Sequence, residues 1–103
     1  MKEDYTRKRM LWLDNDEEEY QTIKAWLQAQ KDEDIRDMND VIHRLGLFIS
    51  DKDYDEVLSS NLSGAVREQL EIQLLKIDYK EVAKSVYESY LEDKRYEKAQ
   101  EAI

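Results

Sequence analysis

The chain has 103 residues, no cysteine and no proline, only two glycines (Gly46 and Gly64) and a single histidine, His43. Without cysteine there is no disulfide framework, and without a second histidine or any thiol there is no donor set for a zinc site. The lack of proline and the scarcity of glycine remove the usual punctuation of hairpins and sheets, so helices are the expected currency. Uninterrupted apolar runs are only a few residues long and Met1 to Arg9 is polar. The expectation is therefore a cytoplasmic protein with no leader and no membrane span. No G-x-S-x-G, phosphate loop or glycine-rich turn occurs, and the many carboxylates fall at exposed helix starts where little would raise a pKa. The sequence predicts a protein that is not an enzyme and carries no cofactor.

Hydrophobic residues make up 41% of the chain, and seven Tyr, two Trp and one Phe add bulk. That is enough apolar material to exclude disorder and to build one core, so residues 1–103 are read as a single helical domain. The charge is concentrated. Between Asp14 and Glu56 fourteen carboxylates meet five basic residues, and outside that window eleven acids meet eleven bases, so the whole formal charge of −9 belongs to one stretch. The acids fall into three clusters: Asp14 to Glu19, Asp32 to Asp40 and Asp51 to Glu56. Such a field repels nucleic acid and attracts basic protein surfaces, including those built to grip a phosphate backbone.

The periodicity predicts an all-α, compact bundle of five to six short helices. The clearest is the last, in which Tyr79, Val82, Ala83, Val86, Tyr87, Tyr90 and Leu91 form a stripe. Asp78 and Glu81 supply its capping box. The stripe fails beyond Leu91, which makes 92–103 an extended or frayed helix end. Met38, Val41, Ile42, Leu45, Phe48 and Ile49 form a second stripe, with Asp34 or Asp37 as N-cap and Gly46 clouding its end. Tyr20, Ile23, Trp26, Leu27 and Gln30 form a third, capped by Asp14 or Asn15. A short helix around Tyr54, Val57 and Leu58 would open at Asp51 or Asp53. Another would run from Asn61 or Ser63 through Leu75. Its apolar residues cover so much of its circumference that it is expected to be the most buried element. Asp4 to Leu13 would be the sixth, with Met10, Leu11, Trp12 and Leu13 tucked inward.

Two small constellations carry little chemistry. Asp51-Lys52-Asp53-Tyr54-Asp55 alternates acids as a calcium loop does, yet Glu56 and Leu62 stand where such a loop needs glycine and a bidentate glutamate. Helix capping and surface acidity explain it better. Arg7, Lys8 and Arg9 are too few for a nucleic-acid patch and read as counter-charge to the acidic window. The aromatic residues fall mostly on helical stripes, which favours core packing over base stacking.

The box Leu11-Trp12-Leu13-Asp14-Asn15-Asp16-Glu17 with Tyr20, and the closing Ile77-Asp78-Tyr79-Lys80-Glu81-Val82-Ala83, resemble an uncharacterised family of short acidic bacteriophage proteins. That resemblance implies a phage origin and a host bacterial cell as the setting. Asp34-Ile35-Arg36-Asp37 with Val41-Ile42-His43 is similar to an acidic helix start in the Ocr anti-restriction proteins, helical DNA mimics that block host restriction enzymes. Glu68 to Ile72 and Glu88 to Glu92 resemble later helices of that family. The last helix departs from it, because Lys80, Lys84, Lys94, Arg95 and Lys98 balance its acids.

Charge and resemblance together predict an inhibitor that offers carboxylates in place of phosphates to a host DNA-binding defence protein of the restriction or CRISPR type. It would bind a basic protein surface, not nucleic acid. Asp14, Asp16, Glu17, Glu18, Asp34, Asp37, Asp40, Asp51, Asp53 and Asp55 are the candidate partner-binding residues. The alternative is an interaction module gripping a partner, or its own copy as a homodimer, through an apolar helix face. Leu62, Val66, Leu70 and Leu74, with Tyr96, Ala99 and Ile103, would then matter, and acidity would serve solubility alone.

Overall fold

A computed structural model describes residues 4–30 and 37–101. They form five helices, with no strand among the described residues: α1 (Tyr5–Asn15), α2 (Glu17–Ala29), α3 (Met38–Leu58), α4 (Gly64–Leu75) and α5 (Tyr79–Glu101). The protein is all-α. Each helix start is capped by a side chain that accepts from the backbone N–H three residues on, satisfying one of the orphan donors of the first turn. Asp4 accepts from Arg7, Asp16 from Glu19, Asp37 from Asp40, Ser63 from Val66 and Asp78 from Glu81.

Five helices replace the six that periodicity allows, because the two segments expected around Gly46 and Asp51 fuse into α3. Gly46 lies inside that helix for a packing reason. A Cβ there would sit 3.2 Å from the carbonyl oxygen of Tyr79, so the missing side chain lets α3 approach the start of α5. Asp51 and Asp53, expected to open a helix, lie in the fourth and fifth turns of α3 instead.

The core is built by four of the five helices. Leu13 of α1, Ile23 and Leu27 of α2, Val41, Ile42, Leu45 and Ile49 of α3, and Val82, Ala83, Val86 and Tyr90 of α5 are buried. The α3–α5 pairing is the main axis, and Trp26 stacks on Phe48 at 5.2 Å between ring centroids to hold α2 against α3. In α1 only Leu13 of the expected inward quartet is buried, Met10 is half-buried, and Leu11 and Trp12 face solvent.

The largest departure is α4. Expected to be the most buried element, it contributes no buried residue. It rests on α3 through Arg67, Leu70, Glu71 and Leu74, all half-buried, and leaves Val66, Ile72 and Leu75 exposed. The four-helix core is complete without it. Past Leu91, α5 continues as helix through Glu101 with every residue exposed. The helical bundle is elongated, measuring 55 × 31 × 25 Å with a radius of gyration of 15.7 Å. A close-packed chain of this length would have about 13 Å.

Candidate protein-binding surface

The surface is organised around one buried guanidinium. Arg9 lies on the inward face of α1 with Thr6 and Leu13. Its Nε and Nη2 donate to both oxygens of Asp53, at 2.9 and 3.0 Å, and Nη2 also donates to Glu19. The Tyr79 hydroxyl donates to Asp53 at 2.7 Å, and Lys52 approaches Glu19 at 3.7 Å. Burial works against the charge of Arg9, but the bonds to and charges of Asp53 and Glu19 outweigh it and leave its pKa raised. Burial, followed by the bond to Asp53, pushes the Tyr79 hydroxyl well above the ordinary tyrosine value. Tyr20 is raised in the same way, by burial and by its bond to Asp93 of α5.

This cluster joins two of the three acidic stretches. Glu19 belongs to the first and Asp53 to the third, so Arg9 ties the start of α2 to the C-terminal half of α3. The remaining acids of those stretches stay outside. Asp14, Glu17, Glu18, Asp51, Asp55 and Glu56 are exposed, and none makes an ion pair among the described residues. Three shallow concavities share residues and run on from one another around the molecule. Asp14, Glu17 and Asp93 edge the first, Asp16 and Glu17 flank Trp12 in the second, and Glu56 lies beside Trp12 in a third. Glu56 then adjoins Asp51 and Asp55 across Phe48 and Ser59. The result is an acidic belt in which Lys8, Lys52, Leu11 and the exposed indole of Trp12 intervene.

Not every candidate residue joins the belt. Asp53, expected at the surface, is buried because its position in α3 is in phase with Leu45 and Ile49, and its charge is taken by Arg9 and Tyr79. Asp16 lies within the belt but is half-buried, and its carboxylate caps α2. Asp37 caps α3 and Asp40 is half-buried beside Arg44 at 3.4 Å. These two stand about 27 and 22 Å along the helix axis from Asp55, at 1.5 Å per residue. Asp34 lies outside the described residues. Asp37 and Asp40, the described acids of the second stretch, are therefore separate from the belt. Asp51, Asp53 and Asp55 form part of a continuous helix, with Asp53 turned inward and the other two outward, unlike ligands converging on an ion. No group of three or more His, Cys, Asp or Glu among the described residues is arranged to hold a metal. No described helix is long and apolar enough to cross a membrane.

A second feature adjoins the belt. Between α1 and α4 runs an apolar groove of about 430 Å³, walled by Tyr5, Trp12, Leu70, Leu74 and Ile77 over Val57 of α3. Comparison with protein-family models, curated proteins and solved structures found no match to the chain.

Proposed function

We propose that the protein works by occupancy: a phage-encoded acidic helical protein that covers the basic, DNA-gripping surface of a host defence nuclease. The observation that supports this reading is the Arg9 junction, which draws two acidic stretches together while leaving six of their carboxylates exposed and without ion pairs among the described residues. Duplex DNA presents one charge per about 1.7 Å of axis, and a competitor for its binding site needs carboxylates fixed on a scaffold that does not yield. Helices pinned by a buried bidentate arginine provide that rigidity. Asp14, Glu17, Glu18, Asp51, Asp55 and Glu56 are the residues that would replace phosphates. Trp12, in their midst, would supply the apolar anchor typical of tight interfaces. A pull-down from bacterial lysate, eluted in steps of salt and separately with duplex DNA, tests the reading. Capture that weakens steeply with salt and yields to DNA is expected, and charge reversal at Asp14, Glu17 and Asp55 should abolish it. A captured protein indifferent to both salt and DNA would refute it.

A second reading, binding through an apolar helix face with acidity serving solubility, is favoured by α4, which contributes no buried residue and leaves Val66, Ile72 and Leu75 exposed. Leu75→Gln on α4 should spare the first activity and harm the second.

A further inference from the structure

We infer that α4 is a lid: it lifts and unravels as one unit while the other four helices stay folded, and each opening admits water to the Arg9 junction. The inference stands whether or not the acidic belt binds a partner. The half-buried residues of α4, Arg67, Leu70, Glu71 and Leu74, step by three and four and so form one narrow stripe, with its other residues exposed. No ion pair among the described residues reaches α4. Its one side-chain hydrogen bond to a neighbouring segment, again among the described residues, runs from Arg67 Nη2 to the Ser60 carbonyl at 3.2 Å. Segments with so little buried apolar contact open at a free energy well below that of global unfolding.

The helices on either side are closed without α4. At the end of α3 the Ser59 and Ser60 hydroxyls donate to the carbonyls of Asp55 and Val57, at 2.7 and 2.6 Å. At the start of α5 the Asp78 carboxylate accepts from the Glu81 N–H, the Asp78 N–H donates to the Thr6 hydroxyl of α1 at 2.9 Å, and Ile77 packs against the core. Residues 61–76 can therefore swing out between two fixed points with those backbone groups still satisfied. Detached, α4 is 12 residues long. Isolated helices shorter than about 12–15 residues are marginal in water, so the lifted segment loses its helix. What it covers gives the opening a consequence. Leu70 and Leu74 wall a concavity of about 330 Å³ whose lining also includes Arg9, Glu19 and Asp53. Removing that wall solvates the three charged groups that fix α1, α2 and α3 to one another.

Native-state hydrogen exchange of the full chain, followed by NMR through a series of urea concentrations below the unfolding transition, tests the inference. Relative to their rates in an unfolded chain, the amides of 68–75 should exchange at least about a hundredfold faster than those of Leu45, Ile49, Val82 and Val86. Their dependence on urea should also be shallower, because a lifted lid exposes less surface than the unfolded chain. A core substitution separates local from global opening. Ile23, 1% exposed on α2, belongs to the core in both the closed and the open form. Ile23→Val should therefore speed the core amides several-fold and leave the α4 amides unchanged. Leu70→Ala with Leu74→Ala weakens the closed form, and should speed the α4 amides and the Arg9 Nε–H, which donates to Asp53, by the same factor. Amides of α4 protected as strongly as the core, or accelerated equally by Ile23→Val, would overturn the inference. An Arg9 Nε–H that keeps its rate while the α4 amides accelerate would overturn the link between the lid and the junction.

Discussion

Replacing Arg9 with Met tests whether the junction between α1, α2 and α3 holds the molecule together. The guanidinium is 9% exposed, and the Glu19 and Asp53 side chains facing it are 8 and 11% exposed. Methionine fills similar volume, so packing changes little while two buried carboxylates lose their main counter-charge. Breaking a buried pair from one side costs about 3–5 kcal/mol, since the partner is left charged and unsolvated. Two partners are stranded here, which places Arg9→Met at the upper part of that range, offset by Lys52 near Glu19 and by Tyr79 on Asp53. Against a total stability of about 5–15 kcal/mol for a domain of ordinary stability, the loss would be severe. Urea unfolding followed by circular dichroism, or a fall in Tm of at least about 12 °C at 4–8 °C per kcal/mol, would register it. Neutralising all three groups, Arg9→Met with Glu19→Gln and Asp53→Asn, should recover much of the loss. A single-variant deficit below about 1 kcal/mol would refute the reasoning, since that is the magnitude of a solvated surface pair.

The raised pKa values of Tyr20 and Tyr79 predict a split alkaline titration. Because their folded values lie above the ordinary value near 10, their stabilising contribution is complete below about pH 10 and is lost as pH climbs through the folded values. Phenolate absorbance should show two of the seven tyrosines lagging the rest, with the urea midpoint falling over the same range. Seven tyrosines titrating together in a folded protein would contradict the assigned bonds. The two glycines should respond oppositely to alanine. Gly46→Ala meets the Tyr79 backbone, and an overpacking cost of about 1–3 kcal/mol should exceed the gain in helix propensity. Gly64→Ala meets nothing within 4 Å and should be neutral or stabilising by up to about 1 kcal/mol. Equal midpoints for the two variants in urea unfolding would show that α3 and α5 are not in close approach.

Helical periodicity located the core well where it was strong. Tyr79, Val82, Ala83, Val86 and Tyr90, and likewise Val41, Ile42, Leu45 and Ile49, lie against one another as their spacing requires. The charged cluster was legible only by looking for charge in phase with those stripes. Glu19 stands four and eight residues before Ile23 and Leu27, Asp53 four and eight after Ile49 and Leu45, and Arg9 four before Leu13. Each occupies a core position, and the signs complement one another. Grouping residues by sequence neighbourhood hid this, since Arg9 was counted with Arg7 and Lys8, and Asp53 with Asp51 and Asp55. The placement of α4 was not legible at all. Its composition asks for burial, and nothing local tells whether the covering surface belongs to the same chain. Trp12 misled for the same reason, because an aromatic residue beside Leu13 reads as core until the rotation of α1 is known.

Four helix starts use aspartate where the fifth, Ser63, does the same backbone work with an uncharged hydroxyl. The fifth belongs to α4, whose charged residues are Arg67, Glu68 and Glu71. Serine and aspartate are close to interchangeable at this position, so converting Asp4, Asp16, Asp37 and Asp78 to Ser would move the formal charge from −9 to −5 with the helix starts still closed. The electrostatic character of the molecule can therefore be tuned almost independently of its architecture.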